Sequence, residues 1–178
     1  MSLLDRMLDR GPAIYLSPGM IARARVVGRM RQANAIEEAR IPGNNLVAHP
    51  QRDLAMHIFG CCGECAGKCM LPMLRWNDFK RGPLDDTPDL EDDKLAVDVK
   101  AIEKHQHRLL VQAGKVQREW AYLLISGEYH PYWWVAGWAW GHEVLRARIE
   151  EPQPNRPAHV LDIDRLRLGF DLQTIAGS

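Results

Sequence analysis

The chain has 178 residues, 46% of them hydrophobic, and its 23 basic residues balance 23 acidic ones. That length can bury one full core, and the charge balance excludes a general polyanion sponge. There is no apolar run long enough to cross a membrane and no charged-then-apolar leader, and the clustered, reduced cysteines suit an intracellular, cytoplasmic protein.

Ser2 to Arg10 reads as a short amphipathic helix stopped by Gly11-Pro12. Ser17 as cap and Pro18 as first-turn proline start a second helix that runs to about Ala39. On it, Arg23, Arg25, Arg29 and Arg31 meet no acid until Glu37. Arg25 and Arg29 lie one turn apart and are candidate phosphate contacts. The apolar positions Ala22, Val26, Met30 and Ala33 are the expected inner stripe of an amphipathic surface helix. Ile41-Pro42-Gly43-Asn44-Asn45 breaks the helix and divides the chain into an N-terminal helical extension, 1–45, and an α/β domain, 46–178.

A further helix is expected from about Arg52 to Met70, with Leu54, Ile58, Cys61 or Cys62, Cys65 and Cys69 forming its apolar stripe. Glu64 falls on a neighbouring face with His57, Gly60 and Gly67. A helical glycine costs about 1 kcal/mol relative to Ala, so glycines a turn either side of Glu64 imply close approach to a sheet. The four cysteines sit on this one helix, and Cys61 to Cys69 would span about 12 Å along its axis. Thiolates so arranged converge poorly on one metal, and small core residues are their expected identity.

After an irregular segment containing Pro72, Trp76 and Gly82-Pro83, the stretch from Pro88 to Lys100 reads as a short β-hairpin. Leu95-Ala96-Val97-Asp98-Val99 alternates like a strand, and a tight turn at Asp92-Asp93 would pair Glu91 with Lys94, Leu90 with Leu95 and Asp89 with Ala96. Asp89, Ala96, Asp98 and Lys100 then line one face, and Leu90, Leu95, Val97 and Val99 form the core face. Neighbouring carboxylates repel unless a cation lies between them, and hard oxygens suit Mg²⁺ or Mn²⁺. An ammonium beside that ion can hold a water or stabilise a phosphate, as metal-assisted phosphodiester hydrolysis requires. The plain alternative is a solvated acidic hairpin. Asp98→Ala is expected to spare the fold, because Asp98 is read as a surface carboxylate.

Leu109-Leu110-Val111 reads as the next strand, and Ala121 to Ile125, apolar on both faces, as a central one. Tyr132 to Trp138 would pair with it across a Gly127-Glu128 turn. Gly141 to Arg148 reads as a short helix, 152–157 as a proline-rich loop and His159 to Ile163 as a last strand. Trp133, Trp134, Trp138 and Trp140 crowd one hairpin and its exit. Core packing or a homo-oligomer contact through Trp133–Trp140 explains them better than stacking on unpaired bases.

Pro88-Asp89, followed by Asp98-Val99-Lys100 at the end of an apolar strand, resembles the signature of the PD-(D/E)XK nuclease superfamily. Gly60-Cys61-Cys62-Gly63-Glu64-Cys65-Ala66-Gly67-Lys68 is similar to the G-x-x-G-E-x-A helix of small phage-type members. Tyr122 to Ile125, Trp133 to Trp138 and Gly141 to Val144 resemble the strand, strand and short helix that close those proteins, so the likeness covers roughly residues 50 to 170. It implies a restriction-endonuclease-like αβββαβ core with a mixed central sheet. It also implies Mg²⁺ or Mn²⁺ held by Asp89, Asp98 and Glu64, with Lys100 orienting the attacking water and Gln117 as a polar neighbour of the metal. His142 and Glu143 are further candidates for the same region. The implied reaction is hydrolysis of DNA phosphodiester bonds to leave a 5′-phosphate, in phage or mobile-element DNA processing. Two other classes stay open: a catalytically inactive member of the fold that binds nucleic acid or a protein, and a cysteine–metal protein.

Overall fold

The computed structural model describes residues 13–39, 50–78, 87–103, 108–129, 131–153 and 156–168. The expected helix at Ser2 to Arg10 and the break at 41–45 lie outside them. In chain order the elements are β1 (Ile14–Tyr15), α1 (Pro18–Ala39), α2 (Pro50–Met70), β2 (Arg75–Trp76), β3 (Leu90–Glu91), β4 (Ala96–Ile102) and β5 (Arg108–Gln112). They continue as β6 (Ala121–Tyr129), β7 (Tyr132–Trp140), α3 (Gly141–Val144), β8 (Arg148–Gln153), β9 (Arg156–Asp162) and a 3₁₀ turn at Ile163–Arg165.

The architecture is α/β, built on a mixed six-stranded sheet of order β1-β7-β6-β4-β3-β2. Within it β4 and β6 run parallel, and the other neighbours are antiparallel. A second, antiparallel sheet has the order β5-β9-β8. Alternation along β4 and β6 divides the interior into two cores. Val97, Val99, Leu123 and Ile125 meet Cys61, Cys62 and Cys65 of α2 and Ala24 and Val27 of α1. Tyr122, Leu124, Ala136 and Ala139 meet Leu109 and Val111 of β5 and Leu161 of β9. β6 is therefore covered on both sides, which accounts for its unbroken apolar run from Ala121 to Ile125.

The helix starts follow their local signals. Ser17 Oγ accepts the Met20 amide at 3.3 Å, ahead of Pro18 in the first turn. α2 carries Asp53 in its first turn and Lys68 in its last, both matched to the helix dipole. Trp133 and Trp138 are core residues at 1% and 3% exposure, while Trp134 and Trp140 are half-buried.

The expected strand at Leu109 to Val111 is β5, in the second sheet and paired with β9. Three readings need correction. β6 continues through Gly127 to Tyr129, so the turn falls after Gly127-Glu128. Most of the expected 152–157 loop is the end of β8 and the start of β9. Its exposed positions carry no alternation, and Pro152 is tolerated because β8 is an edge strand. On α1 the stripe Ala22, Val26, Met30 and Ala33 faces outward, and Ala24, Val27, Gln32 and Ala35 are buried instead.

Candidate functional site

The β3–β4 hairpin pairs Leu90 with Val97 and Glu91 with Ala96. The expected register is thus wrong by two residues, because the loop spans 92–95 and not Asp92-Asp93 alone. Asp92 closes it: Oδ1 accepts the amides of Lys94 and Leu95, both at 2.8 Å, and the Asp92 amide donates to the Leu95 carbonyl at 3.0 Å. A slip of two keeps every side chain on its own face. The strand pairing ends at Leu90–Val97, and Asp89 lies one residue beyond it.

Asp89 takes over where β3 stops. Its amide donates to the Val97 carbonyl at 3.0 Å, and its Oδ2 accepts the Val99 amide at 2.6 Å. Asp89 is 4% exposed, and the hydrogen bond of its carboxylate to the strand fixes its position. Asp98 is 8% exposed and forms an ion pair with Lys100 at 2.5 Å. Asp98 is therefore a buried carboxylate, contrary to its reading as a surface one. Burial works against the Lys100 charge, but Asp98 and then Asp89 outweigh it and hold the ammonium protonated above the usual lysine range. Tyr122, paired with Asp98 across β4 and β6, accepts the Gln117 amide on its hydroxyl at 2.8 Å. Burial, opposed by that bond and aided by Asp98, pushes its phenol up to about 12.

Glu64 approaches from α2. The helix comes close because Gly63 and Gly67 face the sheet: a Cβ at Gly63 would lie 2.6 Å from Ala101 Cβ, and one at Gly67 3.1 Å from Val99 Cγ2. Gly60, expected to share this role, has nothing within 4 Å of that position. Glu64 is 4% exposed, and its carboxylate receives a two-pronged Arg31 guanidinium at 2.5 and 2.8 Å and the Trp76 indole N–H at 2.8 Å. Burial and the negative charge of Asp89 favour its neutral form and prevail over Arg31 and Trp76, raising Glu64 to about 7.

Asp89 thus links two half-sites. On one side it is within electrostatic reach of Glu64 and Arg31, and on the other of Lys100, which Asp98 holds. Val97 and Val99 face α2, so by alternation Asp98 and Lys100 project from the opposite face of β4. Among the described residues, no three His, Cys, Asp or Glu side chains stand together as a ready metal-binding group. The donor chemistry still fits Mg²⁺ or Mn²⁺: the carboxyl-bearing residues Glu64, Asp89 and Asp98 are all buried, and their hard oxygens suit such an ion. In this arrangement Glu64 is held by Arg31 and Asp98 by Lys100.

The remaining candidates are placed elsewhere. Arg25 and Arg29 are exposed on α1, the side chain of Gln117 is exposed, and His57 is half-buried on α2. Glu143 binds the Trp140 amide and Arg167, both outside the carboxylate cluster. Cys61, Cys62 and Cys65 are buried in the core and Cys69 is exposed. Sequence reasoning missed Arg31, Trp76 and Tyr122. The spacing of Ala24, Val27, Gly28 and Arg31 could have indicated the inward face of α1, since the small residues mark the side on which a neighbouring helix packs closely. The chain matches no protein-family model, no curated protein and no solved structure.

Proposed function

We propose that the chain is a metal-dependent DNA nuclease of the PD-(D/E)XK type, hydrolysing phosphodiester bonds with Mg²⁺ or Mn²⁺. The observation that carries this reading is that Lys100, ion-paired to Asp98, is within electrostatic reach of Asp89, and Asp89 of Glu64. In the αβββαβ scheme α2 is the leading helix and β3–β4 the hairpin that carries the carboxylates. Asp89 and Asp98 are the residues that would hold the metal, and Glu64 would complete its shell or hold a second ion. When bound, the metal supplies Lewis acidity toward the phosphate and acidifies a water.

The chain's own contribution follows from charge. Lys100, ion-paired to Asp98, would serve as a donor that orients the water and offsets charge at phosphorus. Arg25 and Arg29 offer exposed positive charge for the DNA backbone. Incubating the protein with single-stranded, duplex and branched DNA in Mn²⁺, Mg²⁺ or EDTA tests the reading. Metal-dependent cleavage is expected; folded protein that binds Mn²⁺ neither alone nor with DNA and cleaves none of the three would overturn it. One observation favours a second reading, an inactive nuclease-like protein that binds nucleic acid or a protein: Arg31 and Lys100 already satisfy Glu64 and Asp98.

A further inference from the structure

Arg31 is the side chain that the nuclease reading leaves without a role. It crosses from α1 to α2 with only 11% of its side chain exposed and places both terminal nitrogens on the two oxygens of Glu64. Nη2 also approaches the Asn77 carbonyl at 3.4 Å, and Nε is buried with no hydrogen-bond partner. A buried guanidinium with one donor unsatisfied is costly unless negative charge compensates it. Here the compensation comes from two carboxylates, since Asp89 also acts on Arg31 through space. A divalent cation would be drawn to the same two carboxylates for the same reason.

We propose that Arg31 is the internal counter-ion of the Glu64–Asp89 pair and stands where a divalent cation binds, so that guanidinium and metal exclude each other. The proposal rests on the metal-site reading above and adds a competitor to it. In the metal-free protein Arg31 offsets the repulsion between buried carboxylates. On metal binding Glu64 exchanges a guanidinium for the cation, and Arg31 must turn away. Lys100 is not the equivalent device on the Asp98 side: 37% of its side chain is exposed, and it adjoins Asp98 on the same strand.

Calorimetric titration of Mn²⁺ into the full chain and its Arg31→Met variant tests this, with the Arg31→Met/Glu64→Gln double variant as control. Removing one unit charge from a buried pair should tighten Mn²⁺ binding by at least about tenfold. The double variant should lose that gain. If Arg31→Met is unfolded without metal, Mn²⁺ should restore its circular dichroism, as binding free energy then becomes folding free energy. Binding in Arg31→Met no tighter than in the unsubstituted chain, or a gain that survives Glu64→Gln, would overturn the counter-ion role while leaving the metal site standing. Absence of Mn²⁺ binding and of Mn²⁺ rescue in every form would overturn both.

Discussion

The side chain of Asp89 accepts the backbone amide of Val99 at 2.6 Å, at the point where the β3 pairing stops and β4 continues with β6 alone beside it. One residue thus completes the hydrogen bonding of the sheet and supplies a carboxylate to the candidate site. Asp89→Ala leaves the Val99 amide without that acceptor in a buried setting and should cost about 1–3 kcal/mol in urea unfolding. Asp89→Asn keeps an oxygen in place and should cost less. Equal losses in the two variants would mean that the hydrogen bond does not matter to stability.

The carboxyl group of Glu64 gives the fold a pH dependence of definite sign. Its pKa in the folded protein, about 7, lies above the ordinary value of 4.5, so the folded state binds more protons between those limits. Stability from this group is therefore full below about pH 4.5 and is lost as pH rises through 7, by at most about 3 kcal/mol. Glu64→Gln should remove that slope, although it lowers stability overall by weakening the hold on buried Arg31. Urea midpoints measured from pH 5 to 8 for both proteins check this. Parallel pH profiles would contradict the environment assigned to Glu64.

Two glycines on one helix should respond oppositely to the same substitution. Gly63→Ala drives a methyl group against Ala101 and should destabilise by about 1–3 kcal/mol. Gly60→Ala meets open space and should be neutral or stabilise by up to about 1 kcal/mol through helix propensity. Thermal or urea unfolding of the pair reads the difference directly. Similar losses at both positions would mean that α2 packs on the sheet through a different face.

These outcomes bear on how far the sequence was legible. The alternation of Val97, Asp98, Val99 and Lys100 identified the faces of β4, and the apolar run of β6 identified its central place, because both patterns are local. The Leu90–Val97 register was not legible, since Asp92 can organise a four-residue loop as readily as a shorter one. Nor was β8, whose exposed edge position imposes no period. Arg31 and Glu64 are 33 residues apart, and Trp76 reaches Glu64 from a two-residue strand. Such pairings depend on how helices and strands dock, and docking leaves no fixed spacing in the chain.

The cysteines offer a check on the α2 core. Burial pushes the thiols of Cys61 and Cys65 up, the latter to about 12, whereas Cys69 is exposed. A thiol reagent at pH 8 should label Cys69 rapidly in the folded protein and all four cysteines after denaturation. Protection of all four that is relieved by a chelator would instead indicate a cysteine–metal centre.

The most direct test of the nuclease reading compares the unsubstituted chain with Asp98→Asn and Lys100→Met, each confirmed folded by circular dichroism, on DNA in Mn²⁺ and in EDTA. The expected result is cleavage by the unsubstituted chain in Mn²⁺ alone, reduced at least about a hundredfold in both variants because a metal ligand and a charge-stabilising donor are gone. Cleavage that persists in EDTA, or that both variants retain at full rate, would contradict it.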